Sequence, residues 1–299
     1  MWNELLQGIH LQDRKSLARA ISLIENEVLG YDQFLQQLPT NNDTPIIGVT
    51  GPPGAGKSSL LDALIKTIVA QNKRVAVLCV DPSSTFSMGA LLGDRIRMNE
   101  WYKHPNVYIR SLASRGSLGG LTSSIIEVTS ILQIAGFDYI FIETVGVGQS
   151  EIEIAGLADL TIVVLVPEAG DEIQTMKAGL MEIADIFVVN KSDRPDAALF
   201  AKNLYSLKNN FNKSNDLSIV STVAIKDKGI DQLYEAINAK IKMLTVGEQK
   251  LWLLTNRLYQ IIQKKKMESF DKNAMLAIVK QSLQENTFNL YRLAAGLAG

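Results

Sequence analysis

The pattern of apolar and polar positions predicts alternating strands and helices through the middle of the chain. Short apolar runs recur between residues 45 and 240, with helical stretches such as SSLLDALIKTIVAQN and EIQTMKAGLMEI between them. Several runs are apolar at consecutive positions, as expected of strands buried on both faces of a parallel sheet that helices cover. The runs are PIIGVT, RVAVLCV, NVYIR, FDYIFIE, LTIVVLV, ADIFVVN and LSIVST. They predict a doubly wound, mostly parallel α/β domain whose ligand binds at the carboxyl ends of the strands.

Helical patterns flank this α/β region on both sides. Before it, apolar residues recur at helical spacing up to a predicted break, where Asn41-Asn42-Asp43 precedes Pro45. After it, VGEQKLWLLTNRLYQIIQKKKMESF and AMLAIVKQSLQ have helical patterns as well. The apolar positions of the first helical part are Leu17, Ile21, Ile24 and Val28. We therefore predict an N-terminal helical extension over residues 1–44, the α/β domain over 45–242 and a C-terminal helical region over 243–299.

The composition argues against several classes of partner. The 299 residues are 46% hydrophobic and 20% charged, with a formal net charge of −1, so no electrostatic footprint for nucleic acid or an anionic membrane is expected. No apolar run reaches the roughly 18 residues that a membrane-spanning helix needs, and the N-terminus lacks the pattern of a signal peptide. The single cysteine, Cys79, suits a reducing compartment. We expect a cytoplasmic protein that binds neither nucleic acid nor membrane.

A glycine-rich stretch, GPPGAGKSS, lies between the first predicted strand and a predicted helix. It satisfies G-x-x-x-x-G-K-[ST] in the context that this phosphate-binding pattern requires, and it predicts a domain of the P-loop NTPase type. Backbone N–H groups and the helix N-terminus would face the phosphates. Lys57 is expected to neutralise charge on the β- and γ-phosphates, and Ser58 to ligate Mg²⁺. The predicted phosphate-binding residues are Gly51, Pro52, Pro53, Gly54, Ala55, Gly56, Lys57, Ser58 and Ser59.

The end of a later predicted strand carries NKSD, an Asn-Lys-x-Asp pattern that indicates guanine. The Asp193 carboxylate can accept from the ring N–H and the exocyclic amine of guanine together, while the stem of Lys191 lies along the base. Adenine lacks this donor pair, and the resulting mismatch can discriminate by about 10⁴. The next strand end, STVA, is predicted as a second base-contacting loop, with a simple strand end as the alternative. The predicted base contacts are Asn190, Lys191, Asp193, Ser221 and Val223.

Acidic residues end two further predicted strands, Asp81 after RVAVLCV and Glu143 at the end of FDYIFIE. Because these ends should emerge beside the phosphate loop, both carboxylates are candidate Mg²⁺ ligands. Glu143 opens ETVGVGQSE, in which the N–H of Gly146 could reach the γ-phosphate, so that residues 143–151 form a switch segment. Val147 stands where many nucleotide switches carry the glutamine that orients water. We therefore expect slow intrinsic hydrolysis.

Longer strings connect these features to a known family. They are LARAISLIENE, GPPGAGKSSLLDAL, VDPSSTFSMGALLGDRIRM, SRGSLGGL, ETVGVGQSE and VPEAGDEIQTMKAGLMEIADIFVVNK. With these strings the chain resembles the MeaB/ArgK-type P-loop GTPases, which chaperone adenosylcobalamin-dependent acyl-CoA mutases. The resemblance covers most of the chain and is far more specific than the phosphate loop alone.

The resemblance implies a role for each matching residue. Metal and switch residues by resemblance are Ser58, Asp81, Asp94 and Glu143. The first switch would contain Asp94 and Arg97, the second Gly146, Gln149 and Glu151, and the third Glu168, Asp171, Gln174 and Lys177. The implied catalytic set is Lys57, Asp94, Glu143, Gly146 and Gln149. From the residues alone, the stretch 167–177 is better interpreted as a loop that leads into a helix with charged residues on its solvent face.

The same resemblance implies cofactors and partners. The cofactors would be GTP or GDP with Mg²⁺. The partners would be a second copy of the chain, docked largely through the C-terminal helices, and an acyl-CoA mutase such as methylmalonyl-CoA mutase. The GTPase would gate loading of adenosylcobalamin and protect or reactivate this mutase.

Two other functions fit parts of the sequence. A nickel-delivery GTPase for enzyme maturation shares the phosphate loop, but one cysteine and the two histidines, His10 and His104, are few ligands for a carried metal. An ATP-using kinase linked to amino-acid transport would also need the loop, but the NKSD stretch argues for guanine instead.

Overall fold

The computed structural model of the chain describes residues 1–39, 44–81, 98–113, 124–144, 154–169, 183–210, 217–243, 248–267 and 270–298. The chain forms two compact units, Met1–Lys250 and Leu251–Gly299. The first contains a seven-stranded sheet with helices on both faces, and the second is helical.

All seven predicted runs form strands of one parallel sheet. The strands are β1 (Ile46–Thr50), β2 (Val75–Asp81), β3 (Val107–Ala113), β4 (Tyr139–Thr144), β5 (Leu160–Leu165), β6 (Ile186–Val189) and β7 (Ser218–Ser221). Their order is β3-β2-β4-β1-β5-β6-β7, and every neighbouring pair is parallel. The central strand β1 therefore lies between β4 and β5, so that the loop after β1 emerges where the strand order reverses.

Helices cover the two faces of this sheet. Those of the first unit are α1 (Trp2–His10), α2 (Arg14–Glu25), α3 (Tyr31–Gln36), α4 (Lys57–Ala70), α5 (Ile125–Ile134), α6 (Ala197–Asn210) and α7 (Ile230–Met243). One apolar core joins α4 and α7 to one face, and another joins α1, α2 and α5 to the opposite face. In β2, Val77 points into the first core and Leu78 into the second. Burial on both faces explains why the strand sequences are continuously apolar.

The predicted N-terminal helical extension contains three helices, α1 to α3. Glu27 adopts a left-handed conformation with φ 50° directly after α2, so Val28 does not continue the α2 stripe. The guanidinium of Arg110, on β3, donates to Ser22 Oγ at 3.0 Å and forms an ion pair with Glu25. These contacts hold α2 against the sheet.

The second unit contains most of α8 (Glu248–Met267), all of α9 (Lys272–Gln284) and all of α10 (Leu290–Ala298). Asp271 caps α9 by accepting a hydrogen bond from the backbone N–H of Asn273 at 2.9 Å. Many large apolar side chains of the unit are exposed: Leu251, Trp252, Leu254, Leu258, Tyr259, Ile262, Leu276, Leu283, Leu290 and Tyr291. None of the helices in the described ranges is both long enough and apolar enough to cross a membrane.

Candidate functional site

The loop between β1 and α4 packs closely against β5 and the side chain of Asn190. Gly51 has φ +136° and Gly56 has φ +91°, conformations that residues with a Cβ rarely adopt. A Cβ at Gly51 would collide with the carbonyl oxygen of Val164, and one at Gly56 with the side-chain amide of Asn190. The glycines at both positions are therefore required by backbone conformation and by close packing.

Lys57 points back into the loop that precedes it. Its Nζ donates to the carbonyl oxygens of Gly51 at 2.7 Å and Pro52 at 3.1 Å, although it is the first residue of α4. The side chain is buried, with 7% of the residue exposed. The structure thus holds the ammonium group against the loop backbone, beside the N-terminus of α4.

Ser58 and Glu143 meet at the carboxyl edge of the sheet. The hydroxyl of Ser58 donates to Glu143 Oε1 at 2.7 Å, and both residues are buried. The second carboxylate oxygen, Oε2, lies 3.9 Å from the sulfur of Cys79, which pairs with Glu143 across β2 and β4. The adjacent Thr144 hydroxyl donates to Thr50 Oγ1 at 2.9 Å, which links the ends of β4 and β1. The Glu143 carboxylate is therefore oriented by Ser58 at one oxygen and by Cys79 at the other.

Asn190 joins three loops at the ends of the strands. Its Nδ2 donates to the carbonyl of Ala55 in the phosphate loop at 2.9 Å. Its Oδ1 accepts from the Thr222 hydroxyl at 3.1 Å and from the Ala224 backbone N–H at 3.2 Å. Because Asn190 and Thr222 are buried, these hydrogen bonds align the phosphate loop with the loops after β6 and β7.

An Asn190→Ala variant should lose about 2–4 kcal/mol of unfolding free energy, since buried partners in three loops would lose their hydrogen bonds. GDP and GTP should both bind more weakly, and by a similar factor, because the phosphate and base loops lose alignment together. Urea unfolding and nucleotide titration measure the two effects. The control is Asn203→Ala on the exposed surface of α6. Unchanged nucleotide affinity in Asn190→Ala would contradict the alignment role.

In the turn after β6, the side chains of Lys191 and Asp193 contact two different loops. Lys191 has φ 55°, and its Nζ donates to the carbonyl of Gly54 at 2.8 Å. Lys226 donates to Asp193 Oδ2 at 2.7 Å, and this hydrogen bond holds the pKa of the Asp193 carboxyl below its usual value. The next residue, Arg194, forms an ion pair with Glu168. The turn is thus bound to the phosphate loop on one side and to the loop after β7 on the other.

The structure brings most of the predicted phosphate and base residues to one edge of the sheet. Ser221 ends β7 with an exposed side chain, whereas Val223 is buried. Asp81 ends β2, but its side chain lies outside the described part. Other predicted residues also fall outside the described ranges, namely Asp94, Arg97, Gly146, Gln149, Glu151, Asp171, Gln174 and Lys177.

Sequence reasoning did not single out Cys79, Thr222 or Lys226 as parts of this site. Thr222 is part of the predicted STVA loop but has no predicted role of its own. The sequence offers Cys79 only as a sign of a reducing compartment. For Thr222 and Cys79 the sequence offers no sign beyond a position at or near a strand end. Lys226 lies beyond the strand end, and only the fold brings it to Asp193.

Comparison with known proteins decides the family. The model of a family described as methylmalonyl-CoA mutase-associated GTPase MeaB matches residues 17–276. The chain belongs to the MeaB family. Its relatives include a putative GTPase of Pyrococcus abyssi, 46% identical over 244 residues that cover 79% of this chain and 75% of the relative. The GTPase ArgK of Escherichia coli is 31% identical over 300 residues, covering 96% of this chain and 88% of ArgK.

A further MeaB-family relative comes from the mouse. The mitochondrial methylmalonic aciduria type A homolog of Mus musculus is 33% identical over 298 residues, covering 90% of this chain and 71% of the relative. A crystal structure of an LAO/AO transport system kinase superposes with a TM-score of 0.68 at 24% identity, covering 99% and 96% of the two chains. HypB from Helicobacter pylori, solved with nickel, gives a TM-score of 0.51 at 16% identity, covering 74% and 95%. At these identities both structures show the fold alone.

These matches confirm the predicted family and the predicted P-loop α/β fold with helical regions at both ends. This MeaB-family chain is a GTPase that binds guanine nucleotide.

Proposed function

We propose that this GTPase is a chaperone of an adenosylcobalamin-dependent acyl-CoA mutase such as methylmalonyl-CoA mutase. In this role it gates loading of the cofactor and protects or reactivates the mutase. The observation that carries the proposal is the match of residues 17–276 to a family described as mutase-associated. The name of the mouse relative, which refers to methylmalonic aciduria, supports the same client.

The phosphate loop and Lys57 hold the triphosphate in this proposal. Lys57 Nζ already lies on the loop, between 2.7 and 3.1 Å from two of its carbonyl oxygens. From there its charge can stabilise the negative charge of the β- and γ-phosphates as the phosphoryl group transfers. Backbone N–H groups of residues 51–59 and the N-terminus of α4 add further donors.

Ser58 and Glu143 are the proposed Mg²⁺ residues, with Asp81 and Asp94 as further ligands. The hydroxyl and carboxylate oxygens of Ser58 and Glu143 converge at 2.7 Å, and oxygen donors of this kind suit Mg²⁺. The residues present therefore fit the ion. Ser58 and Glu143 would hold the ion here, and its positive charge would supply electrostatic stabilisation of the phosphate oxygens.

Base recognition is assigned to the turn after β6. Asp193 accepts from the two N–H donors of guanine, Lys191 lies along the base, and Asn190 aligns the surrounding loops. Ser221 and Val223 are proposed to approach the base from the loop after β7. Support comes from the hydrogen bonds that join these loops at Asn190.

Hydrolysis is proposed to be slow until the client binds. Val147 cannot orient the attacking water, and the client would bring Gln149, Glu151 or a residue of the third switch into place. GTP binding then changes the surface that the mutase contacts, and mutase binding changes the hydrolysis rate in return. The apolar side chains exposed on α8 to α10 support a homodimer formed through these helices.

Steady-state GTP hydrolysis with and without purified methylmalonyl-CoA mutase tests the proposal. We expect acceleration by the mutase and a complex whose stability depends on the bound nucleotide. Gln149→Ala should lower the accelerated rate more than the intrinsic rate if Gln149 is the residue that the client positions. Equal rates with and without the mutase, and no complex with GDP or a non-hydrolysable GTP analogue, would reject the proposal.

No specific observation favours the two alternative functions. The likeness to HypB and to the transport-system kinase shows the fold alone. Within the described ranges, no group of three or more histidine, cysteine, aspartate or glutamate side chains is arranged to hold a metal ion. Nickel titration is the discriminating measurement for the first alternative, and ATP against GTP affinity for the second.

A further inference from the structure

The carboxylate that is proposed to read guanine already has a cationic partner on the protein. Lys226 Nζ donates to Asp193 Oδ2 at 2.7 Å, and the side chains are 52% and 40% exposed. Guanine offers two N–H donors, and a bidentate pair uses both oxygens of one carboxylate. The ammonium group and the base therefore need the same oxygen.

The backbone that carries Lys226 is held in place by its own contacts. It ends a short 3₁₀ helix, Ala224–Lys226, within a loop closed by hydrogen bonds between Val223 and Lys228 at 3.0 and 3.3 Å. Asp227 follows in a left-handed conformation and forms an ion pair with Lys66 on α4. A change in the distance between Lys226 and Asp193 therefore requires side-chain rotation and not a movement of this loop.

The backbone on both sides of Asp193 is held by hydrogen bonds as well. The backbone N–H of Ser192 donates to the carbonyl of Thr222 at 3.0 Å, and that of Arg194 to the carbonyl of Lys191 at 3.0 Å. A displacement of the whole turn away from Lys226 would break these two hydrogen bonds. The long, half-exposed side chain of Lys226 can rotate away from Asp193 without breaking any of these backbone hydrogen bonds.

We propose that Lys226 is a specificity-determining residue that competes with guanine for Asp193. This inference rests on the proposed assignment of Asp193 as the guanine reader. Guanine must either displace the ammonium group from Oδ2 or share that oxygen with it, and a shared oxygen is a weaker acceptor, so the binding of GDP and GTP is weakened alike. Adenine does not displace it, because adenine lacks the donor pair, so the carboxylate stays paired while adenine occupies the site. Lys226 therefore narrows the difference in affinity between guanine and adenine nucleotides.

The test is a Lys226→Met variant, which keeps most of the side-chain length and removes the donor. GDP and GTP should each bind about two- to fivefold more tightly, the range expected for one exposed ion pair. ATP should bind no more tightly, because its base would meet a carboxylate without a partner. The gain should shrink at about 1 M salt, where the Debye length falls to about 3 Å. Nucleotide titrations at low and high salt measure these changes.

Lys228→Met is the matched control, since it removes the same charge from the same exposed loop without touching Asp193. Lys226→Gln provides a second variant, and thermal unfolding shows that both are folded. Unchanged or weaker guanine nucleotide binding in both Lys226 variants would overturn the inference. An equal gain in affinity for GDP and GTP in Lys228→Met would overturn it too, because loss of any positive charge from this loop would then have the same effect.

A double-mutant comparison separates this inference from the assignment of Asp193. In an Asp193→Asn background, Lys226→Met should lose most of its effect, because the competing carboxylate is gone. If Asp193→Asn abolishes the preference for guanine while Lys226→Met changes nothing, Asp193 reads guanine and the competition is wrong. If Asp193→Asn leaves that preference intact, the base assignment itself is wrong.

Discussion

An Asp193→Asn variant is expected to bind GTP roughly 10²- to 10³-fold more weakly than the wild type. The carboxylate is proposed to accept two hydrogen bonds from guanine, whereas an asparagine side chain accepts one and turns an N–H group towards the exocyclic amine. Xanthine carries an oxygen in place of that amine, so xanthosine triphosphate should bind the variant more tightly than the wild type. Competition titrations with GTP, xanthosine triphosphate and ATP measure the exchange of specificity.

Asp196→Asn is the control for the Asp193 substitution. It makes the same change of charge three residues away, on an exposed side chain whose left-handed backbone, φ 63°, asparagine tolerates well. GTP affinity should be unchanged. The base assignment fails if Asp193→Asn keeps its affinity for GTP, or if xanthosine triphosphate gains nothing in the variant.

A Lys57→Ala variant is expected to lose on the order of 10²- to 10³-fold in the rate of GTP hydrolysis, the cost of removing one charge-stabilising donor from a transition state. The ammonium group is buried on the phosphate loop, where it donates to the carbonyl oxygens of Gly51 and Pro52. The variant also removes the partner of those carbonyls, so GTP affinity should fall as well. Single-turnover hydrolysis with saturating GTP separates the chemical step from binding.

The control for Lys57 is Lys202→Met, an exposed lysine of α6, which should hydrolyse GTP at the wild-type rate. Circular dichroism and urea unfolding show whether Lys57→Ala retains the fold. A folded variant with wild-type turnover at saturating GTP would remove Lys57 from the proposed catalytic set.

The local sequence was enough to predict the elements of the nucleotide site. The runs around Ile46–Thr50 and Ile186–Val189 are continuously apolar because each strand is covered on both faces, and this pattern is readable without a structure. The phosphate loop is equally local, since glycines at 51 and 56 and the Lys57-Ser58 pair are neighbours in the chain. The breaks between the three N-terminal helices could not be predicted from the local sequence, because they fall where Gln12 and Glu27 adopt left-handed conformations and neither residue type signals such a turn.

Contacts between distant residues could not be read in this way. The sequence predicted that Glu143 emerges beside the phosphate loop, but not that the Ser58 hydroxyl donates to it at 2.7 Å. Nothing near Asp193 indicates Lys226 as its partner. Both contacts depend on strand order, which places β1 between β4 and β5 and sets β6 beside β7. Strand order follows from the packing of helices over the whole sheet and not from any single segment.

By itself, the sequence determined the family and the strands of the sheet, and it predicted the residue types that are proposed to bind phosphate and guanine, because these depend on local periodicity and on spacing along the chain. Only the tertiary structure decided that Asn190 ties three loops together, that Ser58 and Glu143 share one hydrogen bond, and that Lys226 holds Asp193. The physical reason is that a parallel sheet gathers its strand ends at one edge, where residues far apart in sequence come within hydrogen-bonding distance.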